Sequence, residues 1–374
     1  MAVADLRGIR VALVGPVPPP SGGMANQLLQ LTRLLESEGV SVEVVPVNAP
    51  YRPGWIGRIP GVRALARFVP YSFALQSAAS RADLVHVLAS SGWSWHLFAA
   101  PAVWISRANG VPVIVNYRGG GAGSFLARQV GWVKPTLKRS TALVVPSEFL
   151  REVFARFGLS ARVVPNVIDA DRFAPRATDS RSAHAMESGP RVLIARNLES
   201  VYDVATGLRA FQQVREALPG ARLVVAGTGP ERDRLGALAN ELGLGASVRF
   251  VGRIGNEDMP AFYREADVVL NPSLADNMPI SILEALASGV PVVTTNVGGI
   301  PFLVRHDETA QMIPPGDPAT MAAAILRLWS DPALAERQSR AGLSLAGKFT
   351  WASVGKQWAA VYQEAAPARG RAAP

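Results

Sequence analysis

The chain has no cysteine in 374 residues, which excludes a disulfide framework, thiolate catalysis and thiolate metal ligation. Neither Cys nor His forms a cluster with metal-ligand spacing, so no metal centre is expected. Charged residues make up only 18%, yet the longest apolar stretch, near Leu97 to Ile105, is far short of a membrane span. No signal peptide can be read, because Met1 to Arg10 leads straight into an apolar strand, Val11 to Val14. A cytoplasmic location is the expectation. Helix-turn-helix, zinc-finger and aromatic RNA-platform signatures are all missing, so nucleic acid is not an expected partner.

What is present describes a globular protein. Hydrophobic residues make up 49%, and 374 residues suit two moderate domains better than one core. Lysine and arginine number 38 against 29 acidic residues, a net charge of +9 that favours acidic partners such as nucleotides and anionic lipid surfaces. An arginine-rich composition with no specific partner would give the same figure. The segment Tyr51 to Pro70 interleaves Trp, Arg and apolar residues. A surface helix packed on its own domain is the commoner arrangement; a helix lying on an anionic membrane has the same composition.

Along the chain, apolar strands alternate with helical segments twice over, which predicts an α/β protein of two doubly wound domains. Ile9 to Gly15 runs into a Pro/Gly loop containing Gly22 and Gly23, and a helix follows from Met24. Such a turn lets a phosphate approach the backbone. Leu84 to Leu88 carries His86, a lone histidine in an apolar run. Val111 to Asn116 ends in Tyr117-Arg118-Gly119-Gly120-Gly121, at the carboxyl end of a strand, where open α/β sheets bind ligands. Asp169-Ala170-Asp171 lies in a turn and is not read as a metal motif. Thr178 to Gly189 has the character of a linker, and Gly227-Thr-Gly229-Pro is an incomplete nucleotide fingerprint. The domains expected are 1–177, 178–348, and a last segment 349–374.

The most informative stretch is Asn271 to Gly299, NPSLADNMPISILEALASGVPVVTTNVGG. A buried strand drops into a polar loop, a helix begins near Pro279 and ends at Ser288-Gly289, and a second strand follows. Asp276 and Glu284 flank the helix start, whose unpaired N–H groups suit a phosphate. Carboxylates there would repel the phosphate and are better placed to accept from sugar or ribose hydroxyls. Two structural readings compete. Ser281-x-x-Glu284 fits a capping box, and Asp276 fits an Asx-turn.

With PVPPPSGGMAN, VPNVIDADRFAP, GTGPERDRLGALANELGL and FVGRIGNEDMPAFYREADVVLNPS in order, the stretch resembles the glutamate-x7-glutamate region of family-four retaining glycosyltransferases. The resemblance covers nearly the whole chain. It implies the GT-B fold, two Rossmann-like domains facing a central cleft with the C-terminal helix crossing back to the first. It also implies transfer of a hexose-type sugar from a nucleotide diphosphate to a glycan, lipid-linked or small-molecule acceptor, without cofactor or metal.

By position, Glu284 would hold the ribose, Asp276 the donor sugar, and Arg196 the leaving diphosphate. Gly22, Gly23 and the run Asn277, Met278, Pro279, Ile280 and Ser281 would line the donor, with the amides of Ile280 and Ser281 on the phosphates. Arg253 and Ile254 fall where the family seats the base. His86, Arg118 and Gly119 are acceptor-side candidates, Arg118 standing where relatives often have histidine. One departure is that Asn197 to Asp203, NLESVYD, lacks the lysine that follows the family arginine. Either another cation, Arg118 or Arg253, then supplies the second charge, or diphosphate binding is weak. A sugar-nucleotide epimerase, a phosphorylase, or a catalytically weak nucleotide-sugar-binding partner of another transferase would share the fold.

Overall fold

The computed structural model describes residues 6–19, 22–51, 54–55, 59, 61–175 and 189–366. The expected linker at 178–188 and the tail at 367–374 lie outside these residues, as do 56–58 and 60 of the Trp/Arg segment. The chain forms two compact units, residues 1–167 with 351–374, and residues 168–350. The first break falls ahead of the expected 177, because Ile168 and Phe173 join the core of the second unit and the Ile168 amide donates to Phe349 O at 2.9 Å.

Each unit is built on one six-stranded parallel sheet. In the first, strands β1 (Arg10–Gly15), β2 (Ser41–Pro46), β3 (Leu84–Ala89), β4 (Val113–Tyr117), β5 (Ala142–Val145) and β6 (Arg162–Val163) lie in the order β2-β1-β3-β4-β5-β6. In the second, β7 (Arg191–Ala195), β8 (Arg222–Ala226), β9 (Val248–Gly252), β10 (Val268–Asn271), β11 (Val292–Thr295) and β12 (Gln311–Ile313) lie in the order β12-β11-β10-β7-β8-β9. Helices cover both faces of each sheet, so the inner strands are buried throughout and read as mainly apolar runs, interrupted by His86 in β3 and ending in Asn116-Tyr117 in β4 and Thr294-Thr295 in β11. The strand order reverses between β1 and β3 in one sheet and between β7 and β10 in the other. Ligand crevices of open α/β sheets form at such reversals, at the carboxyl ends of the strands.

Two helices depart from the expected form. The helix read from Trp93 begins as a π-turn, Trp95–Ala99, before the α-helix Ala100–Ala108. Pro101 cannot donate to the preceding turn, and the Ala100 amide reaches back to Trp95 O instead. The Trp/Arg segment forms its helix later than expected, from Val62 to Arg81, with Pro70 inside it. Tyr71, Leu75, Ala78 and Ala79 bury its inner face.

The last helix, Trp351–Ala365, belongs to the first unit. Val354, Trp358 and Tyr362 pack beneath β1 and β3 in one cluster with Leu13 and Leu84. His86 is part of this joint and not of an acceptor site. It is fully buried in mid-strand, its Nδ1 shares a hydrogen bond of 2.7 Å with the Tyr362 hydroxyl, and its ring lies 4.7 Å from that of Trp358. Burial, aided by the charge of Arg118, pushes its pKa down to about 3, so the imidazole is neutral. A sealed neutral ring cannot touch a substrate, so His86 is a core residue and not the acceptor-side residue expected from the sequence.

Candidate active site

The second sheet brings Arg196, one residue past β7, together with the loop that follows β10. Arg196 Nη2 pairs with Asp276 Oδ2, and Nη1 donates to Ser281 Oγ at 3.2 Å. The guanidinium carbon sits 4.0 Å over the ring of Tyr202. Side-chain exposures of 9% and 14% for Arg196 and Asp276 make this an enclosed pair, where charges interact far more strongly than in water. Arg196 Nε is buried with no partner among the described residues.

Tyr202 was not legible as a site residue. It lies in the segment that lacks the family lysine, on a short 3-10 turn, Ser200–Tyr202, held in place by the Leu274 amide donating to Val201 O at 2.8 Å. An aromatic face under Arg196 occupies the neighbourhood of the missing cation, and orients the arginine it cannot replace.

The helix Ile280–Ala287 resolves the competing readings of Glu284. Its N-cap is Pro279, with no side-chain cap bond, and Ser281 is already inside the helix, so no capping box exists. Ile282 and Leu283 donate to Pro279 O, which leaves the Ile280 and Ser281 amides as the orphan donors of the first turn. Glu284 Oε2 instead accepts from the hydroxyl of Tyr263 at 2.7 Å, and Tyr263 is fully buried against Phe173. Burial pushes the Glu284 carboxyl up to about 7, opposed by the Tyr263 hydroxyl and by the charges of Arg172 and Arg196. Arg172 and Tyr263 lie in the stretches VPNVIDADRFAP and FVGRIGNEDMPAFYREADVVLNPS, but neither was singled out there, and only the fold brings them to this carboxylate.

Asp276 does serve its own loop, since Oδ1 accepts from the Asn277 amide at 2.8 Å. The other oxygen faces Arg196, so one carboxylate braces its own loop and pairs with the arginine. Asn277, Met278 and Pro279 are buried beneath the loop. The Gly299 amide donates to Asp276 O at 2.9 Å, and a Cβ on Gly299 would lie 1.9 Å from Asn277 O. The glycine pair closing the long motif is therefore a clamp on the loop carrying Asp276.

Gly227 and Gly229 answer to the same logic. The incomplete fingerprint holds the chain after β7: Leu198 N donates to Thr228 O at 3.0 Å, and a Cβ on Gly227 would lie 1.9 Å from Arg196 O. Gly227 also has φ +153, a conformation L side chains rarely adopt. Gly227→Ala is expected to cost on the order of 1–3 kcal/mol and to displace Arg196. Thermal melting and kcat should fall together, and a variant with normal kcat would separate Gly227 from the site.

Arg253 follows β9 as an exposed side chain with no partner among the described residues, and Ile254 packs into the second-unit core. In the first unit, Gly22 is the N-cap of the helix Gly23–Ser37, and open space surrounds the Cβ position of both Gly22 and Gly23. Gly119 is wedged against Ser91 and the Tyr117 hydroxyl, 3.0 and 3.1 Å from its Cβ position. Arg118 reaches Gln27 and Asn166. Asp169 accepts from the Arg172 amide at 3.2 Å, as a turn residue does. No group of three or more metal-ligating side chains occurs among the described residues.

Comparison with known proteins identifies the family. The family model described as Glycosyltransferase Family 4 matches residues 21–172, and that described as Glycosyl transferases group 1 matches residues 176–344. Glycogen synthase of Mycobacterium tuberculosis is 30% identical over 299 residues, which are 75% of this chain and 69% of that protein. The chain belongs to the group 1 glycosyltransferases. Another relative of this glycosyltransferase is D-inositol 3-phosphate glycosyltransferase of Corynebacterium jeikeium, 33% identical across 56% of the chain and 53% of the relative. Its GT-B fold is shared with Anabaena HepE, solved in complex with UDP-glucose, at 19% identity and a TM-score of 0.73 over 94% of this chain and 98% of that one.

Proposed function

We propose that this glycosyltransferase moves a hexose-type sugar from a nucleotide diphosphate to a glycan, lipid-linked or small-molecule acceptor, retaining anomeric configuration and using no metal or cofactor. The observation that carries the reading is the enclosed Arg196–Asp276 pair beside the orphan amides of Ile280 and Ser281 and the carboxylate of Glu284. A cation and a helix start give a diphosphate its counter-charge, and two carboxylates give sugar and ribose hydroxyls their acceptors. Glu284 takes the ribose, held in one rotamer by Tyr263, and Asp276 the transferring sugar. Arg196 and the two amides stabilise the charge that grows on the leaving diphosphate. That diphosphate then helps remove the acceptor proton on the face it leaves. The HepE complex with UDP-glucose supports a nucleotide-sugar donor.

The test is a panel of nucleotide sugars assayed for turnover with and without candidate acceptors, followed by anomeric analysis of the product. Turnover that requires an acceptor, gives a retained linkage and survives exhaustive chelation is expected. Turnover of donor alone would point to an epimerase or hydrolase, and full loss on chelation restored by magnesium or manganese would overturn metal independence.

A peripheral membrane contact is proposed on one further observation. Val62, Leu65, Val69 and Phe73 are all exposed, from 41% to 73%, and their spacing puts them on one face of the helix Val62–Arg81. Arg63 lies beside the stripe, Trp55 and Ile59 are exposed just ahead of it, and the net charge is +9. No helix among the described residues is long and apolar enough to cross a membrane. Flotation with anionic vesicles should occur at low salt and weaken at high salt. Leu65→Ser/Phe73→Ser should abolish it, and no flotation of the parent chain at low salt would reject the contact.

A further inference from the structure

A second enclosed arginine stands at the edge of the first sheet, and unlike Arg196 it has no ionic partner among the described residues. The Arg118 amide donates to Ala89 O at 2.8 Å, which fixes the residue at the carboxyl edge of the first sheet, past β4. Its Nη2 donates to Gln27 Oε1 at 3.3 Å and to Asn166 Oδ1. Gln27 uses its own nitrogen on Gln30 Oε1 at 2.8 Å and Val167 O at 3.2 Å, which turns its oxygen to the guanidinium. Both acceptors are neutral amides. Among the described residues no carboxylate lies in ion-pair range of Arg118, whereas Arg196 of the second unit has Asp276. Nε and Nη1 of Arg118 make no hydrogen bond to the described residues, and neither is sealed from solvent. Burial lowers its pKa only to about 10, so the charge persists at neutral pH.

A guanidinium aligned by two amide oxygens, with two donors left over and no counter-ion, matches an oxyanion bound by its fork. The Ser91 and Tyr117 hydroxyls, 2.6 Å apart, stand beside the adjoining Gly119 loop and are suited to neighbouring sugar hydroxyls. We propose that Arg118 binds a carboxylate or phosphate carried by the sugar acceptor, so that acidic or phosphorylated sugars are its substrate class. This rests on the sugar-transfer reading above. The same chemistry would be met by a carboxylate on the transferring sugar, as in a uronate donor, and the experiment separates the two.

Calorimetric titration of the full chain compares two ligand pairs, glucose 6-phosphate against glucose and UDP-glucuronate against UDP-glucose. The charged member of one pair should bind at least about tenfold tighter, and that pair names the source of the anion. Arg118→Gln, with an unchanged melting temperature, should erase the preference, while Arg118→Lys, which keeps the charge without the fork, retains part of it. Equal affinities within both pairs, or a preference that survives in Arg118→Gln, would overturn the proposal. So would an equal loss of affinity for UDP itself in Arg118→Gln, because the anion would then be the diphosphate. Failure of the sugar-transfer reading shows differently, as no binding of UDP or UDP-glucose at all, and the glucose 6-phosphate pair then still decides Arg118.

Discussion

Replacing Arg196 by alanine is expected to lower kcat by roughly 100- to 1,000-fold, the loss typical when one preorganised donor to developing charge is removed. Negative charge on the diphosphate grows as the glycosidic bond breaks, so the interaction is worth more in the transition state than in the bound ground state. The structure adds a second consequence, because Arg196 is also the ionic partner of Asp276 in an enclosed setting. Arg196→Ala leaves that carboxylate without its partner, and the melting temperature should drop as well. Arg196→Ala/Asp276→Ala removes both charges and should melt closer to the parent while remaining inactive. Steady-state kinetics at saturating donor, with melting curves for the single and double variants, separates the two contributions. An unchanged kcat with a raised KM would make Arg196 a uniform binder only.

Glu284→Gln is expected to abolish donor binding while making the protein more stable at alkaline pH. Burial raises the folded-state pKa of Glu284 from its usual 4.5 to about 7. A raised carboxyl pKa means that folding favours the protonated form. The contribution to stability is greatest below about 4.5 and is lost as pH rises through about 7. A shift of this size corresponds to roughly 3 kcal/mol between the two protonation states. Glutamine mimics the protonated acid and can still accept from Tyr263, so its melting temperature should match the parent at pH 5 and exceed it at pH 8. Ligand binding runs the other way. Ribose hydroxyls need the ionised acceptor, so donor affinity of the parent should climb as pH passes through about 7. Tyr263→Phe, which removes a hydrogen bond that favours the ionised form, should move that midpoint upward. Equal melting curves for parent and Glu284→Gln at pH 8 would show that Glu284 carries no such cost.

Much of the second unit was legible in order along the chain. The strand, loop and helix from β10 to Gly289 follow from an apolar run, a polar loop, a proline at the helix start and a glycine past its end. Arg196, Asp276 and Glu284 could be named because the stretches around them resemble the family's motifs; spacing alone left Glu284 open to a capping box and Asp276 to a turn. Gly227 was visible as half of a fingerprint, but spacing alone gives no information about what approaches the backbone. In the fold the close neighbour is Arg196 O and not a pyrophosphate. His86 shows the opposite limit: a histidine in an apolar strand reads the same whether it faces a ligand or the Tyr362 hydroxyl on a helix 276 residues away.

The sequence by itself determined the class of fold and, through motifs in family order, the kind of enzyme. Local periodicity selects strands and helices, their alternation demands parallel sheets, and parallel sheets place ligands at the loops past their carboxyl ends. The tertiary structure alone decided the partners. Arg196 and Asp276 are 80 residues apart and Tyr263 and Glu284 are 21 apart, yet both pairs are in hydrogen-bond contact. Pairing of this kind is set by which strands become neighbours, and β7 lies beside β10 with β8 and β9 on its other side. Burial, and with it the raised pKa of Glu284 and the uncompensated charge of Arg118, exists only once those neighbours are in place. Desolvation depends on everything packed around a group, which no local pattern of residues encodes.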